Sequence, residues 1–385
     1  MSDDMDVRLL LDGAAQGRGV VTEVIEKIGI KRASEILTHE LLYRSCADEL
    51  PAALPLLLVF EGSLGPVEQH IVVGNKDNDG AEQRRTVLRV DVVDAAMCLF
   101  GPGDTVAAPS MVLEWPDLWP DINAFLPDHV LSPAALDLGR RLTQTLGRRG
   151  ETDLSRLSIR YQSDKWGAHR YTPLYEKHLA PYANRQVKVL EIGVGGGEIT
   201  AGGSSLRMWK HFFPRGMVHG IDIVEKKSVD EQRISTHQVD QNDKDSLATF
   251  ADEHGPFDII VDDGSHYSSD IIASFHALFP HVAPGGMYVI EDLQTSYWSF
   301  FRGNHANFDD PKSSMGFLKQ LVDGLNHTEI LAASRRDGRP TDEWISGLHF
   351  YHNIAFVEKN GNREPSPLAR VMEHMFTDAD TGKPA

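Results

Sequence analysis

The chain has 385 residues, of which 41% are hydrophobic and 24% charged, enough for two domains that form cores without staples. A formal charge of −18, from 56 acidic against 38 basic residues, argues against a nucleic-acid substrate, which needs a basic footprint. Two cysteines, Cys46 and Cys98, lack CxxC spacing, which argues against a disulfide framework or a cysteine zinc site and fits a cytoplasmic setting; no apolar run nears the roughly 20 residues that span a bilayer, and the acidic start "MSDDMDVRLL" is unlike a signal peptide.

In chain order, Val21, Val24, Ile25 and Ile28, then Ile36, Leu37 and Leu41, recur at helical spacing and predict helix within 20–46. Three β-like runs follow at 54–60, 67–73 and 86–93, separated by Gly62 and Gly65 and then by "NKDNDG" (75–80). In the third, Leu88, Val90 and Val92 share a face opposite Arg89 and Asp91, the pattern of a half-exposed antiparallel strand. A proline-spotted loop covers 101–133, and a helix with Ser132 as N-cap runs to about Leu146. "GRRGETD" (147–153) reads as a linker, dividing an α+β auxiliary domain (1–150) from a second domain (151–385).

Beyond the linker the rhythm changes. "KVLEIGV" (188–194), "VHGIDIV" (218–224), "DIIVDDG" (258–264) and "GMYVIEDL" (286–293) are short buried strands with helical segments between them. Such alternation predicts an α/β domain with a parallel, doubly wound sheet. "LHFYHNIAFVEKN" (348–360) reads as one antiparallel addition at its edge.

A glycine-rich turn, "EIGVGGG" (191–197), follows the first of these strands. Gly193 and Gly195 fit a dinucleotide fingerprint, but Glu198 stands at its third glycine. The spacing of Glu191, Gly193, Gly195 and Gly197 instead resembles the first motif of class I S-adenosylmethionine-dependent methyltransferases. A carboxylate at the strand end suits the ammonium of that cofactor, and Asp222, ending the second strand, can accept from both ribose hydroxyls. On the same resemblance Asp240 and Gln241, in "VDQND" (239–243), lie near the adenine.

The fourth strand stops on Asp262 and Asp263 and the fifth on Glu291 and Asp292. Neighbouring strands are about 4.8 Å apart, and like charges about 4 Å apart repel by roughly 4 kcal/mol at an effective dielectric near 20. Either some carboxyls are protonated or a cation sits among them. Oxygen ligands favour a hard ion, most simply Mg²⁺, which assigns Asp263, Glu291 and Asp292 to the metal. Asp262, on the other side of the strand, faces the nucleotide or caps the following turn. His266, just before the next helix, is the candidate general base, since imidazole accepts protons near neutral pH.

Four segments, "SDKWGAHRYTPLYEKHL" (163–179), "EIGVGGGEITAGGSSLRMWKHFFP" (191–214), "VDDGSH" (261–266) and "YVIEDLQTSYW" (288–298), together resemble the metal-dependent sugar O-methyltransferases of actinomycete antibiotic pathways. The resemblance implies a class I, Rossmann-like methyltransferase fold with an N-terminal α+β domain for oligomerisation or substrate shaping. It implies S-adenosylmethionine as donor, Mg²⁺ as cofactor, a deoxysugar hydroxyl (2-OH, alternatively 3-OH) of a glycosylated macrolide or aromatic polyketide as acceptor, and a homotetramer. By motif it places metal ligands at Asp263, Glu291 and Asp292, the base at His266 and a cofactor contact at Ser205. Tyr171, in a segment expected to close over the cofactor, is a further cofactor contact. Tyr297, Trp298 and Phe300 offer an apolar wall for the polyketide, and the loop 114–129 is placed to reach a neighbouring subunit. The competing readings are an NAD-type oxidoreductase, opposed by the missing third glycine, and a non-catalytic assembly protein.

Overall fold

The computed structural model describes residues 2–63, 65–75, 85–102, 109–114, 133–147, 153–166, 168–196, 201–330 and 339–380. Ser132, Gly197, Glu198, most of the 75–80 turn and of the 147–153 linker, and all but Glu114 of the loop 114–129 lie outside them. The chain divides into two compact units, one of Met1–Arg160, Thr172–Gln186 and Lys210–Arg215, the other of Tyr161–Tyr171, Val187–Trp209 and Gly216–Ala385.

In the first unit the helical spacing of 20–46 resolves into two helices, α2 (Arg18–Ile28) and α3 (Ile30–Ser45), preceded by α1 (Ser2–Gln16), which the spacing did not cover. Helices α2 and α3 are separated at Gly29, whose φ of 88° ends α2 and suits a residue without Cβ. Val7, Leu10, Leu11 and Ala14 of α1, and Ala33, Ile36, Leu37 and Leu41 of α3, are buried, the i, i+3, i+4 stripe of a core-facing helix. Strands β1 (Leu54–Glu61), β2 (Val67–Val73) and β3 (Thr86–Asp91) match the three β-like runs. The third differs from expectation in length and pairing. It lies inside the sheet, parallel to β1 and antiparallel to β4 (Met111–Glu114). It stops at Asp91 because that carboxylate accepts from the amides of Val93 (3.0 Å) and Asp94 (2.9 Å), capping α4 (Val92–Phe100). Helix α5 (Pro133–Gly147) buries Ala135, Leu138, Leu142 and Leu146; α6 (Leu154–Tyr161) and α7 (Thr172–Leu179) follow.

The second unit is built on β5 (Lys188–Ile192), β6 (Met217–Asp222), β7 (Ile234–Gln238), β8 (Phe257–Asp262), β9 (Val282–Ile290), β10 (Ile345–Tyr351) and β11 (Ile354–Lys359). Their order is β10-β11-β9-β8-β5-β6-β7. Strands β5 to β9 run parallel, and β10 and β11 are antiparallel. The predicted single edge stretch is thus a hairpin, turned at Asn353 (φ 66°). Helices α8 (Ser204–Phe212), α9 (Lys244–His254), α10 (Ser268–Leu278) and α11 (Ser314–Leu325) supply the intervening layers, and α12 (Pro367–Asp380) follows the sheet. Leu190, Ile192, Ile260, Phe275, Tyr288, Ile290 and Leu318 belong to one buried core. Because β5, β8 and β9 are side by side, their carboxyl ends open onto a single crevice, where open α/β sheets bind ligands. No helix among the described residues is long and apolar enough to cross a membrane.

Candidate active site

The glycine-rich turn begins where β5 ends. Gly193 (φ 90°) passes so close to β8 that a Cβ would lie 2.2 Å from the carbonyl oxygen of Asp263. Only glycine permits that approach, which sets the register of the two strand ends. Gly195 (φ 68°) differs: a Cβ there would meet nothing within 4 Å among the described residues. Asp222 ends β6 and accepts from the amides of Val194 (3.1 Å) and Val224 (2.9 Å), one on each oxygen. Each oxygen keeps a lone pair, so the carboxylate can still take two hydroxyl donors.

Glu191 is buried at the end of β5, with its oxygens at Trp209 Nε1 (3.1 Å) and Lys165 Nζ (3.2 Å). The Ser205 hydroxyl also bonds it. Burial pushes its pKa up to about 7, opposed by Lys165. Lys165 Nζ also lies 2.8 Å from Asp263 Oδ2 and 2.8 Å from Glu291 Oε1. Burial works to lower the Lys165 pKa, but Asp263, Glu291 and Glu191 together raise it well above its ordinary value. A buried ammonium therefore stands among Glu191 and two of the crowded carboxylates, Asp263 and Glu291, and it comes from the segment expected to fold over the cofactor.

Asp292 opens outward from this group. It is left-handed (φ 54°), a conformation aspartate tolerates. Tyr171 donates its hydroxyl to Asp292 Oδ1 at 2.7 Å, and the His169 ring stacks on Tyr171 with its Nε2 3.6 Å from the same oxygen. Burial first, and the bond to Asp292 second, push the Tyr171 hydroxyl above its ordinary range. His266 (φ 61°) sits in the turn before α10, with Nε2 3.7 Å from Asp292 Oδ2. Asp263, His266 and Asp292 each offer one ligand atom, all within 4.8 Å of one another, and their side chains are 19%, 25% and 15% exposed. The two carboxylates, open to water with the imidazole beside them, fit a hard divalent ion that keeps several waters. Glu291, 2% exposed, turns Oε1 to Lys165.

The other predicted residues fall into distinct places. Asp262 is buried and accepts from Gln241 Nε2 (2.7 Å), Ser274 Oγ (2.6 Å) and the Tyr288 hydroxyl (3.2 Å). Gln241 Oε1 in turn accepts from the Ser265 amide at 2.8 Å. These two residues tie the turn that carries His266 to the sheet, a linkage the sequence did not reveal. Asp240 is exposed and accepts from the Asn242 amide (2.9 Å). Tyr297, Trp298 and Phe300 are 37%, 52% and 82% exposed, and Phe301 packs near both Trp298 and His266. For Lys165 and His169, which lie in the same segment as Tyr171, that proximity in "SDKWGAHRY" was the available signal.

Comparison with known proteins identifies the family. Residues 7–110 match the family described as MycE methyltransferase N-terminal, and residues 190–293 match a methyltransferase domain. The chain is 38% identical to 8-demethyl-8-alpha-L-rhamnosyl tetracenomycin-C 2'-O-methyltransferase of Streptomyces olivaceus, over 97% of this chain and 100% of that protein. It is 35% identical to the corresponding 8-demethyl-8-(2-methoxy-alpha-L-rhamnosyl)-tetracenomycin-C 3'-O-methyltransferase of the same organism, over 89% of each. The MycE methyltransferase of the mycinamycin pathway, solved with Mg, SAH and mycinamycin VI, superposes with a TM-score of 0.85 at 34% identity, covering 96% of this chain and 99% of that one. The chain belongs to the metal- and S-adenosylmethionine-dependent sugar O-methyltransferases of antibiotic pathways.

Proposed function

We propose that this chain transfers the methyl group of S-adenosylmethionine to the 2-OH of a deoxysugar on a glycosylated polyketide. The observation that carries the reading is the convergence of Asp263, His266 and Asp292 where the glycine-rich turn at Gly193 passes the Asp263 carbonyl. The 2-OH is favoured over the 3-OH by the more extensive likeness to the 2'-O-methyltransferase, 97% against 89% of the chain.

In this reading Asp222, Asp240, Ser205 and the Gly193–Gly195 backbone hold the cofactor. Glu191, Gln241 and Asp262 shape its pocket from beneath, and Tyr171 closes it from the side of Asp292. Asp263, Glu291 and Asp292 hold Mg²⁺, which when bound acidifies and orients the sugar hydroxyl. Asp263 and Asp292 supply the outward oxygens, while Glu291 is shared with Lys165. His266 takes the proton as the hydroxyl oxygen attacks the methyl carbon. The donor is already activated, so alignment is the main demand on the protein. Tyr297 and Trp298 supply the apolar surface for the polyketide. The N-terminal unit serves assembly and substrate shaping, in a cytoplasmic homotetramer.

The test is incubation of rhamnosylated and macrolide glycosides with S-adenosylmethionine, with and without EDTA, read by mass spectrometry. A product one methyl heavier that disappears on chelation and returns with Mg²⁺ supports the reading, and NMR of that product distinguishes 2-OH from 3-OH. Full-rate methylation after metal removal would overturn it. Light scattering tests the tetramer.

A further inference from the structure

The second unit holds another convergence of ligand atoms, and it contains no carboxylate. His219 lies midway along β6, His237 near the end of β7, and His254 is the last residue of α9. Their ring nitrogens, one each, lie within 4.8 Å of one another. The pairing explains why two of them meet. His219 opposes Ser235, so His237, two residues on, projects from the same face of the sheet.

One pair of nitrogens stands near chelating distance. His219 Nδ1 and His237 Nε2 are 3.5 Å apart. Two imidazoles bound to a tetrahedral ion at about 2.0–2.1 Å place their nitrogens about 3.3–3.4 Å apart. The His237 and His254 rings are 4.4 Å apart, and Phe250 packs at 5.0 Å from one and 4.8 Å from the other. His219 is 2% exposed, whereas the His254 side chain is 28% exposed, so water reaches one side of the group. Burial, with His254 and Lys227 adding to it, holds the His237 pKa down to about 4, which leaves that ring neutral with a lone pair to give at neutral pH. Nitrogen donors without oxygen select against Mg²⁺ and for a borderline transition metal.

We propose that His219, His237 and His254 bind a Zn²⁺-class ion at a site separate from the carboxylate crevice, with water in the fourth position. The ion would join the edge strand β7 to β6 and to the C-terminus of α9, and so brace the sheet edge.

The experiment uses the untagged full chain, stripped with EDTA, freed of chelator and titrated with Co²⁺ in saturating Mg²⁺. One equivalent of Co²⁺ should develop visible d–d bands, Zn²⁺ should bleach them, and the melting temperature should rise with either ion. His254→Gln, chosen because that side chain is part exposed at a helix end, should weaken binding at least tenfold. His237→Ala is the second variant, and circular dichroism checks the fold of both. Asp292→Asn should leave the bands intact. Absent bands, bands unchanged in both folded histidine variants, or bands lost in Asp292→Asn would each overturn the site. The readout is optical, so its failure leaves the sugar-methylation reading untouched.

Discussion

Asp262 and Asp263 are consecutive residues with opposite surroundings. Asp262 is 2% exposed, and its oxygens are met by Gln241, Ser274 and Tyr288. Asp263 stands on the crevice side, shared between Lys165 and the outward group with His266 and Asp292. Strand alternation sends one carboxylate beneath the sheet and the other to its mouth. The interior side is closed by protein donors and is architectural. The crevice side keeps oxygens exposed, and there Lys165 already supplies a cation for its inner half. Carboxylate identity therefore does not decide role; the donors that each position meets do.

The largest expected effect breaks the crevice side. His266→Asn keeps a residue that tolerates the left-handed backbone and removes the base, so kcat should fall by about 10²–10⁴. S-adenosylhomocysteine affinity and melting temperature should hold. A loss below tenfold would remove His266 from proton transfer. Next, Lys165→Met should cost about 3–5 kcal/mol in urea unfolding, because it leaves buried carboxylates uncompensated. Adding Glu291→Gln should recover part of that loss; no recovery would mean that the lysine acts by packing.

On the interior side, burial raises the Asp262 pKa to about 6, against an unfolded value near 3.8, with Ser274, Tyr288 and Gln241 opposing. Between those pH values the folded state binds more protons than the unfolded state. This group's contribution is therefore fully present below about 3.8 and is lost as pH rises through about 6. In chelated protein, wild type should gain stability relative to Asp262→Asn as pH falls from 7.5 to 4.5, by about 2 kcal/mol. Parallel pH profiles would contradict this. The smallest effect is Tyr171→Phe, which withdraws one donor from Asp292. It should cost about 1–2 kcal/mol, and calorimetry should show altered Mg²⁺ affinity; unchanged affinity would separate the hydroxyl from the metal-binding group.

Much of this arrangement was legible in the residues. Apolar runs ending in acids located β5, β6, β8 and β9, and Gly193 and Gly195 marked the turn where the chain passes close to its neighbour. That Asp263, Glu291 and Asp292 stand at neighbouring strand ends, with His266 in the turn that follows, was readable from chain order, because strands of an α/β sheet deliver their last residues to one edge. The parallel pairing of β3 was not legible, since alternation reports which face is buried and not the direction of the partner. The helix cap at Asp91 was hidden for a similar reason, since valines 92 and 93 read equally well as strand.

By itself the sequence determined the sheet type, the glycine-rich turn and the acids that crowd the strand ends, because these follow from local periodicity and chain order. Only the tertiary structure decided that Lys165 enters the acid group, that Asp262 bonds inward and that three histidines of β6, β7 and α9 converge. Each of those contacts joins side chains from different elements, with partners as many as 126 positions apart. Such contacts are created by packing, which periodicity along the chain does not encode.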